Sequence, residues 1–382
     1  MHCTRRGAAV KIGMVGPVTP YRGGIAHFTT LLAKKLIEAG HELQVISFKK
    51  QYPAWLYPGE SDRDYSPGRE RVDAEYLLTP LNPLSWHRAV KALADFQPQQ
   101  VIIPWWVTIW GPAFRFLITR LKRRGIPAAM LIHNTLPHEK RAFDRWLARR
   151  ALEKADRYII MTEKEKGRLL GLLPEAGKID IAPLPIDHSF KPTRLSREAL
   201  RQQMDLPDNQ VVILYFGIVR PYKGLGVLID ALKVIADQGN AAQLLIVGEF
   251  WEDKAKYLSQ IQSLGLTDCV HVYDRYIPDD EVAGFFKAAD LFVAPYIDGT
   301  QSAALKTALG FGLPVVVTDV ITDVIIDSLP ERCRVVRAGD AADLADGIMA
   351  QIKVSPQTQE QIQRMIAQSW TPMVSVVIGE RS

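Results

Sequence analysis

Ala182-Pro183-Leu184-Pro185-Ile186-Asp187-His188-Ser189-Phe190-Lys191-Pro192 stands near the middle of a 382-residue chain. Each proline fixes φ and removes a backbone donor, so neither a helix nor a central strand can run through this stretch. The segment is a linker, and the sequence on its two sides reads as two similar series. Upstream, apolar β-rich runs at Ile12–Val15, Leu43–Ser47, Val101–Ile103, Ala128–Ile132 and Tyr158–Met161 alternate with helical patterns over 25–39, 86–96, 111–124 and 139–155. Gly40 and Gly125 stand where helices stop. Downstream, strands are predicted at Val212–Ile218, Leu244–Val247, Val270–Tyr273, Leu291–Ala294, Val315–Thr318 and Arg334–Val336, with helices between them and a helical tail over 340–368. Strands joined through helices run parallel and are covered on both faces, so each half is an open, doubly wound α/β sheet. Trp370 is expected to anchor the last segment on the first domain.

Composition fits this plan. The length suits two domains, and 47% apolar with 23% charged residues is ordinary for a globular protein. Apolar runs such as 101–114 and 211–219 are interrupted well before the ~18 residues that a bilayer span requires. Residues 1–15 lack a signal-peptide apolar region, so the chain is expected to be cytoplasmic. Cys3, Cys269 and Cys333 are odd in number and widely spaced, as reduced packing thiols would be. The net charge of +5 is modest and no base-stacking motif accompanies the basic clusters, which argues against nucleic acid. Those clusters are Arg120, Lys122, Arg123 and Arg124, and Lys140, Arg141, Arg145, Arg149 and Arg150. They read either as solvated helix faces or, because Phe143, Trp146 and Leu147 interleave with the second, as a peripheral contact with anionic membrane at the inner face of the cell membrane.

Open α/β sheets bind ligands beyond the carboxyl ends of their strands, so chemistry is sought there. After the first strand, Gly23-Gly24 precedes a long helix, where backbone N–H groups suit an anion or merely make a turn. Tyr215-Phe216-Gly217-Ile218-Val219-Arg220-Pro221-Tyr222-Lys223-Gly224 sets two cations three residues apart between a strand and a helix. An arginine fork and a lysine point charge together suit a diphosphate; the alternative is a solvated basic loop. Ala294-Pro295 leads into Thr300-Gln301-Ser302 at a helix start, which reads as a sugar or anion site, a helix cap, or both. His133, with His138 and Glu139, follows the fourth strand and is a candidate catalytic group or a structural histidine. Asp62-Arg63-Asp64 has the look of a metal-binding D-x-D but reads as a polar turn distant from any strand end.

The order and spacing of Gly23-Gly24, Phe216-Gly217 to Lys223-Gly224, Leu245-Ile246-Val247-Gly248-Glu249, Ala288-Ala289-Asp290-Leu291-Phe292-Val293-Ala294-Pro295 and Gly312-Leu313-Pro314-Val315-Val316 resemble the family 4 (group 1) retaining glycosyltransferases over nearly the whole chain. The resemblance implies a GT-B fold of two Rossmann-like domains facing a central cleft: 1–187 on the acceptor side, 188–368 binding the nucleotide sugar, and 369–382 returning to the first domain. It implies a hexosyl transfer with retention from a nucleotide-diphosphate sugar to a saccharide or lipid-linked acceptor in polysaccharide or glycolipid biosynthesis. No metal or other cofactor is expected. Arg220 and Lys223 would hold the diphosphate, with His133 as a catalytic candidate. Gly23, Gly24, Gly217, Gly248, Glu249, Tyr276, Ile277, Thr300, Gln301, Ser302 and Thr307 would line the donor. The family's two glutamates would align with Gly299 and Thr307, and its usual histidine is replaced by Pro104-Trp105-Trp106. Two rival readings stay open: a catalytically inactive nucleotide-sugar-binding or scaffold protein, and a nucleotide-sugar epimerase.

Overall fold

A computed structural model describes residues 8–52, 61–66, 69–136, 143–187, 189–354 and 357–380. The candidates His138 and Glu139, the basic Lys140 and Arg141, and Cys3 lie outside the described residues. Two compact units are present: 1–65, 70–182 and 371–382 form the first, and 66–69 with 183–370 form the second.

In the first unit, β1 (Lys11–Val15), β2 (Glu42–Phe48), β3 (Glu75–Leu78), β4 (Gln100–Trp105), β5 (Ala128–Ile132), β6 (Arg157–Ile160) and β7 (Lys178–Ile181) form a parallel sheet in the order β3-β2-β1-β4-β5-β6-β7. Connecting helices are α1 (Gly24–Glu38), α2 (Pro83–Phe96), α3 (Gly111–Lys122), α4 (Asp144–Leu152) and α5 (Glu163–Leu172). β4 and β5 are apolar and almost wholly buried, as strands covered on both faces must be. β3 and β7 are edge strands with mixed sequences and partial exposure, and so carried no apolar run to announce them.

The second unit begins with α6 (Arg197–Gln203) and builds its sheet from β8 (Val211–Phe216), β9 (Ala242–Val247), β10 (Val270–Tyr273), β11 (Leu291–Ala294), β12 (Val315–Thr318) and β13 (Cys333–Val336). The strands are parallel, in the order β10-β9-β8-β11-β12-β13. α7 (Leu225–Asp237), α8 (Lys254–Ser263), α9 (Asp279–Ala288), α10 (Ala303–Gly310), α11 (Val324–Ser328) and α12 (Ala341–Gln351) cover its faces. β8 stops at Phe216 rather than Ile218 because Gly217 turns to φ +112°.

The last helix, α13 (Gln359–Ile378), continues well past residue 368. Trp370 does not anchor the first unit: it belongs to the second, and its indole donates to the Ile186 carbonyl at 3.1 Å. The residues beyond it are members of the first unit. There Gln100 donates to the Val377 carbonyl at 2.6 Å and Arg157 to that of Val376. Among the described residues no helix is long and apolar enough to cross a membrane.

Candidate active site

In each sheet the strand order reverses once, between β1 and β4 in the first unit and between β8 and β11 in the second. Crossovers leave in opposite directions at such a point, so a crevice opens beyond the strand ends. The Gly23-Gly24 segment follows β1, and the Arg220-Lys223 and Thr300-Gln301-Ser302 segments follow β8 and β11. α1 and α7, the helices that follow β1 and β8, both start from a glycine in a positive-φ conformation. Neither has a side-chain cap or an acidic residue in its first turn. Most other described helices are capped by Asn, Ser, Thr or Asp, for instance α10 by Ser302 and α11 by Asp323. These two starts therefore leave the positive end of the helix without a side-chain cap, a geometry that suits an anion.

The β8 loop is built on backbone contacts that exclude side chains. A Cβ on Gly248, which has φ +141°, would lie 2.4 Å from the Gly217 carbonyl oxygen. A Cβ on Gly224, at φ +68°, would lie 1.9 Å from that of Pro295. Ile297 N–H donates to the Tyr222 carbonyl at 2.8 Å, so the loops after β8 and β11 are laced together. Val219 N–H donates to Glu249 and Trp251 N–H returns a bond to Val219, tying the loops after β8 and β9 in the same way.

On this frame the Lys223 Nζ comes within 3.1 Å of the place a Cβ on Gly217 would take, and it lies 5.7 Å from the centre of the Tyr296 ring. Lys223 has no carboxylate partner among the described residues. Burial, with the charge of Arg220 adding to it, lowers its pKa from the ordinary lysine value. The Arg220 guanidinium carbon lies over the Trp251 ring, 4.6 Å from its centre. Two cations thus share a half-buried loop, and the negative charge of an anion there would offset the burial that lowers the Lys223 pKa.

The β11 loop is ordered by its own bonds. Ser302 Oγ accepts from Leu305 N–H at 3.2 Å and lies 3.1 Å from the Tyr296 hydroxyl. The Thr300 carbonyl accepts from Thr322 N–H, and Thr318 donates to the Tyr296 carbonyl. Gln301 is half-buried beside them. Thr307 sits a turn into α10, only 5% exposed, with its hydroxyl on the Ala303 carbonyl. Beside it Lys306 and Asp323 form a fully buried ion pair of 2.8 Å, with the Asp323 Oδ2 lacking a hydrogen-bond partner. Sequence reasoning missed this pair, although a lone lysine in Ala-Ala-Leu-Lys-Thr-Ala-Leu was a signal for buried charge. Glu249 and Tyr276 are half-buried at the ends of β9 and β10, whereas the Ile277 side chain enters the core. Trp251 was also missed; its sole signal was an aromatic residue three places beyond Gly248.

In the first unit His133 follows β5, with its N–H on the Trp105 carbonyl and its ring 5.1 Å from Phe28 of α1. Burial pushes its pKa down to about 3, so it is a neutral imidazole at physiological pH. Asp62-Arg63-Asp64 is not remote from the strand ends. It pairs with the loop before Gly23 through Arg22 N–H to the Asp62 carbonyl and Asp64 N–H to that of Pro20. Arg63 spends its guanidinium on Tyr21, Tyr65 and the Lys49 carbonyl, which makes the triplet a brace for that loop. Among the described residues no cluster of His, Cys, Asp or Glu could hold a metal ion.

Comparison with known proteins agrees with this architecture. Residues 23–185 match the glycosyl transferase 4-like domain and residues 210–353 the glycosyl transferases group 1 domain. D-inositol 3-phosphate glycosyltransferase of Segniliparus rotundus is 28% identical over 198 residues, 47% of this chain and 43% of that protein, so the chain spans less than half of that relative. GDP-mannose:glycolipid 4-beta-D-mannosyltransferase of Xanthomonas campestris pv. campestris is 27% identical over 52% of each chain. Among solved structures, Alr3699/HepE of Anabaena in complex with UDP superposes with a TM-score of 0.66 over 96% of this chain and 97% of that one, at 19% identity, a likeness of fold. With a parallel-sheet α/β unit under each of the two domain matches, the chain has the GT-B fold and belongs to the group 1 glycosyltransferase family.

Proposed function

We propose that the chain transfers a hexosyl group, with retention, from a nucleoside-diphosphate sugar to an acceptor hydroxyl in glycolipid or polysaccharide synthesis. The observation that carries this reading is Lys223, a lysine with no carboxylate partner among the described residues, held 3.1 Å from where a Cβ on Gly217 would stand and within electrostatic reach of Arg220, where the second sheet reverses its strand order. As the bond from the anomeric carbon to the phosphate oxygen breaks, negative charge grows on the diphosphate, and two fixed cations in a partly desolvated loop stabilise it. The acceptor oxygen bonds to the anomeric carbon on the same face, and its proton passes to the departing phosphate oxygen. On this reading the protein's own cations do the work a divalent ion does elsewhere. The names of the Xanthomonas relative and of the Anabaena complex lend support to a glycolipid acceptor and a uridine or guanosine donor. Calorimetric titration of UDP, GDP, ADP and dTDP, in EDTA, into the wild type and Lys223→Ala tests it. One diphosphate bound by the wild type and lost in the variant supports the reading; equal affinity in both overturns it.

A second reading is binding without turnover, favoured by Gly299 and Thr307 where the family it resembles carries glutamates. Donor binding with no transfer to any lipid or saccharide acceptor would establish that reading. A peripheral membrane contact is a further part of the proposal. It is supported by α4, where Phe143 at the helix start and Trp146 are 75% and 58% exposed next to exposed Arg145, Arg149 and Arg150.

A further inference from the structure

We propose that Trp251 is a positioning residue for the diphosphate, acting through Arg220. The proposal rests on the reading of Arg220 and Lys223 as diphosphate ligands and adds to it a residue whose role is to hold Arg220. Val219, buried at the end of the β8 loop, forms a parallel bridge with Phe250, closed by Val219 N–H to the Glu249 carbonyl at 2.9 Å and Trp251 N–H to the Val219 carbonyl at 3.1 Å. This pairing fixes the register between the two loops, so the residue after Val219 must lie against the residue after Phe250. Those residues are Arg220 and Trp251, and the guanidinium carbon stands 4.6 Å from the indole centre.

A guanidinium on a long flexible stem has many rotamers, and most would carry it away from Lys223. The indole face attracts the cation and removes most of that freedom, while the N–H groups that point away from the ring are the ones left to bond phosphate oxygens. The neighbouring Phe250 is engaged elsewhere, against Tyr257 at 5.9 Å and under the Lys254 ammonium at 5.7 Å, so it does not share the task.

The test is a double-mutant cycle on the full chain, with UDP and GDP affinity measured calorimetrically. Trp251→Ala is expected to weaken the preferred diphosphate by about fivefold, the scale of a partly buried cation–π contact. Trp251→Phe should restore it to within about twofold, since a smaller aromatic face still stacks. In an Arg220→Ala background, which keeps Lys223, Trp251→Ala should cost nothing more. A packing role would give a loss that adds to that of Arg220→Ala and no rescue by the aromatic variant. Undiminished affinity in Trp251→Ala, or additivity with Arg220→Ala, overturns the proposal while leaving the diphosphate loop standing. Undiminished affinity in Arg220→Ala itself overturns the reading of Arg220 on which the proposal depends.

Discussion

The Lys223 ammonium stands 3.1 Å from where a Cβ on Gly217 would project, and it has no carboxylate partner among the described residues. A lysine in that state costs the folded protein stability, because burial disfavours its charged form. Lys223→Met should therefore leave the thermal midpoint of the ligand-free protein unchanged or raise it, while cutting transfer at least about 100-fold. A clear drop in the midpoint would show that the lysine supports the fold instead.

Gly224 and Pro295 meet through their backbones, so Gly224→Ala combines a positive φ with a Cβ 1.9 Å from a carbonyl oxygen. It should cost about 2 kcal/mol or more in chemical denaturation. It should also weaken diphosphate binding, since the loops after β8 and β11 must part. Gly239→Ala also has positive φ but meets nothing within 4 Å, so its loss should be the smaller of the two.

His133 has a folded-state pKa of about 3 against an ordinary value of 6.5. Between those values the unfolded chain binds a proton that the folded chain does not, so stability falls as pH is lowered from about 6.5. The slope from this residue approaches about 1.4 kcal/mol per pH unit. His133→Phe should flatten the acid limb of a stability profile relative to the wild type. Parallel wild-type and variant profiles between pH 4 and 6.5 would contradict this.

Lys306 and Asp323 are each nearly inaccessible, and removing one partner strands the other's charge. Asp323→Ala should cost about 3–5 kcal/mol. Lys306→Met combined with Asp323→Ala should cost far less, about 1 kcal/mol, mostly the lost cap on α11. Urea denaturation of the single and double variants measures both.

Phe143 and Trp146 give the membrane proposal a sharp test. Phe143→Ser with Trp146→Ser should reduce co-sedimentation with vesicles containing anionic lipid by roughly tenfold, and added salt should weaken wild-type binding. Equal sedimentation of variant and wild type would leave α4 as a solvated basic face.

Much of the fold was legible because buried parallel strands such as Ala128–Ile132 and Val315–Thr318 are continuous apolar runs. What escaped was encoded in neither run nor period. β3 and β7 lie at a sheet edge, where half the side chains face water, and α5 is punctuated by Gly167 and Gly171. The loop that holds Gly217, Arg220, Lys223 and Gly224 was legible because glycines beside a cation just after an apolar run mark the end of a strand and a close backbone approach. Trp251 and the Lys306–Asp323 pair were not, since their partners come from other loops and only register brings them together. Asp62-Arg63-Asp64 was misplaced for the same reason: its partner, Pro20–Arg22, lies some forty residues earlier.

The division of α13 between the units bears on the order in which the protein can be made. Met373, Val376 and Val377 are buried members of the first unit. A ribosome that has released residues 1–182 has therefore not yet supplied everything that unit buries. That apolar surface stays uncovered until the carboxyl half of α13 has emerged, so the first unit is completed only after every residue of the second has been made.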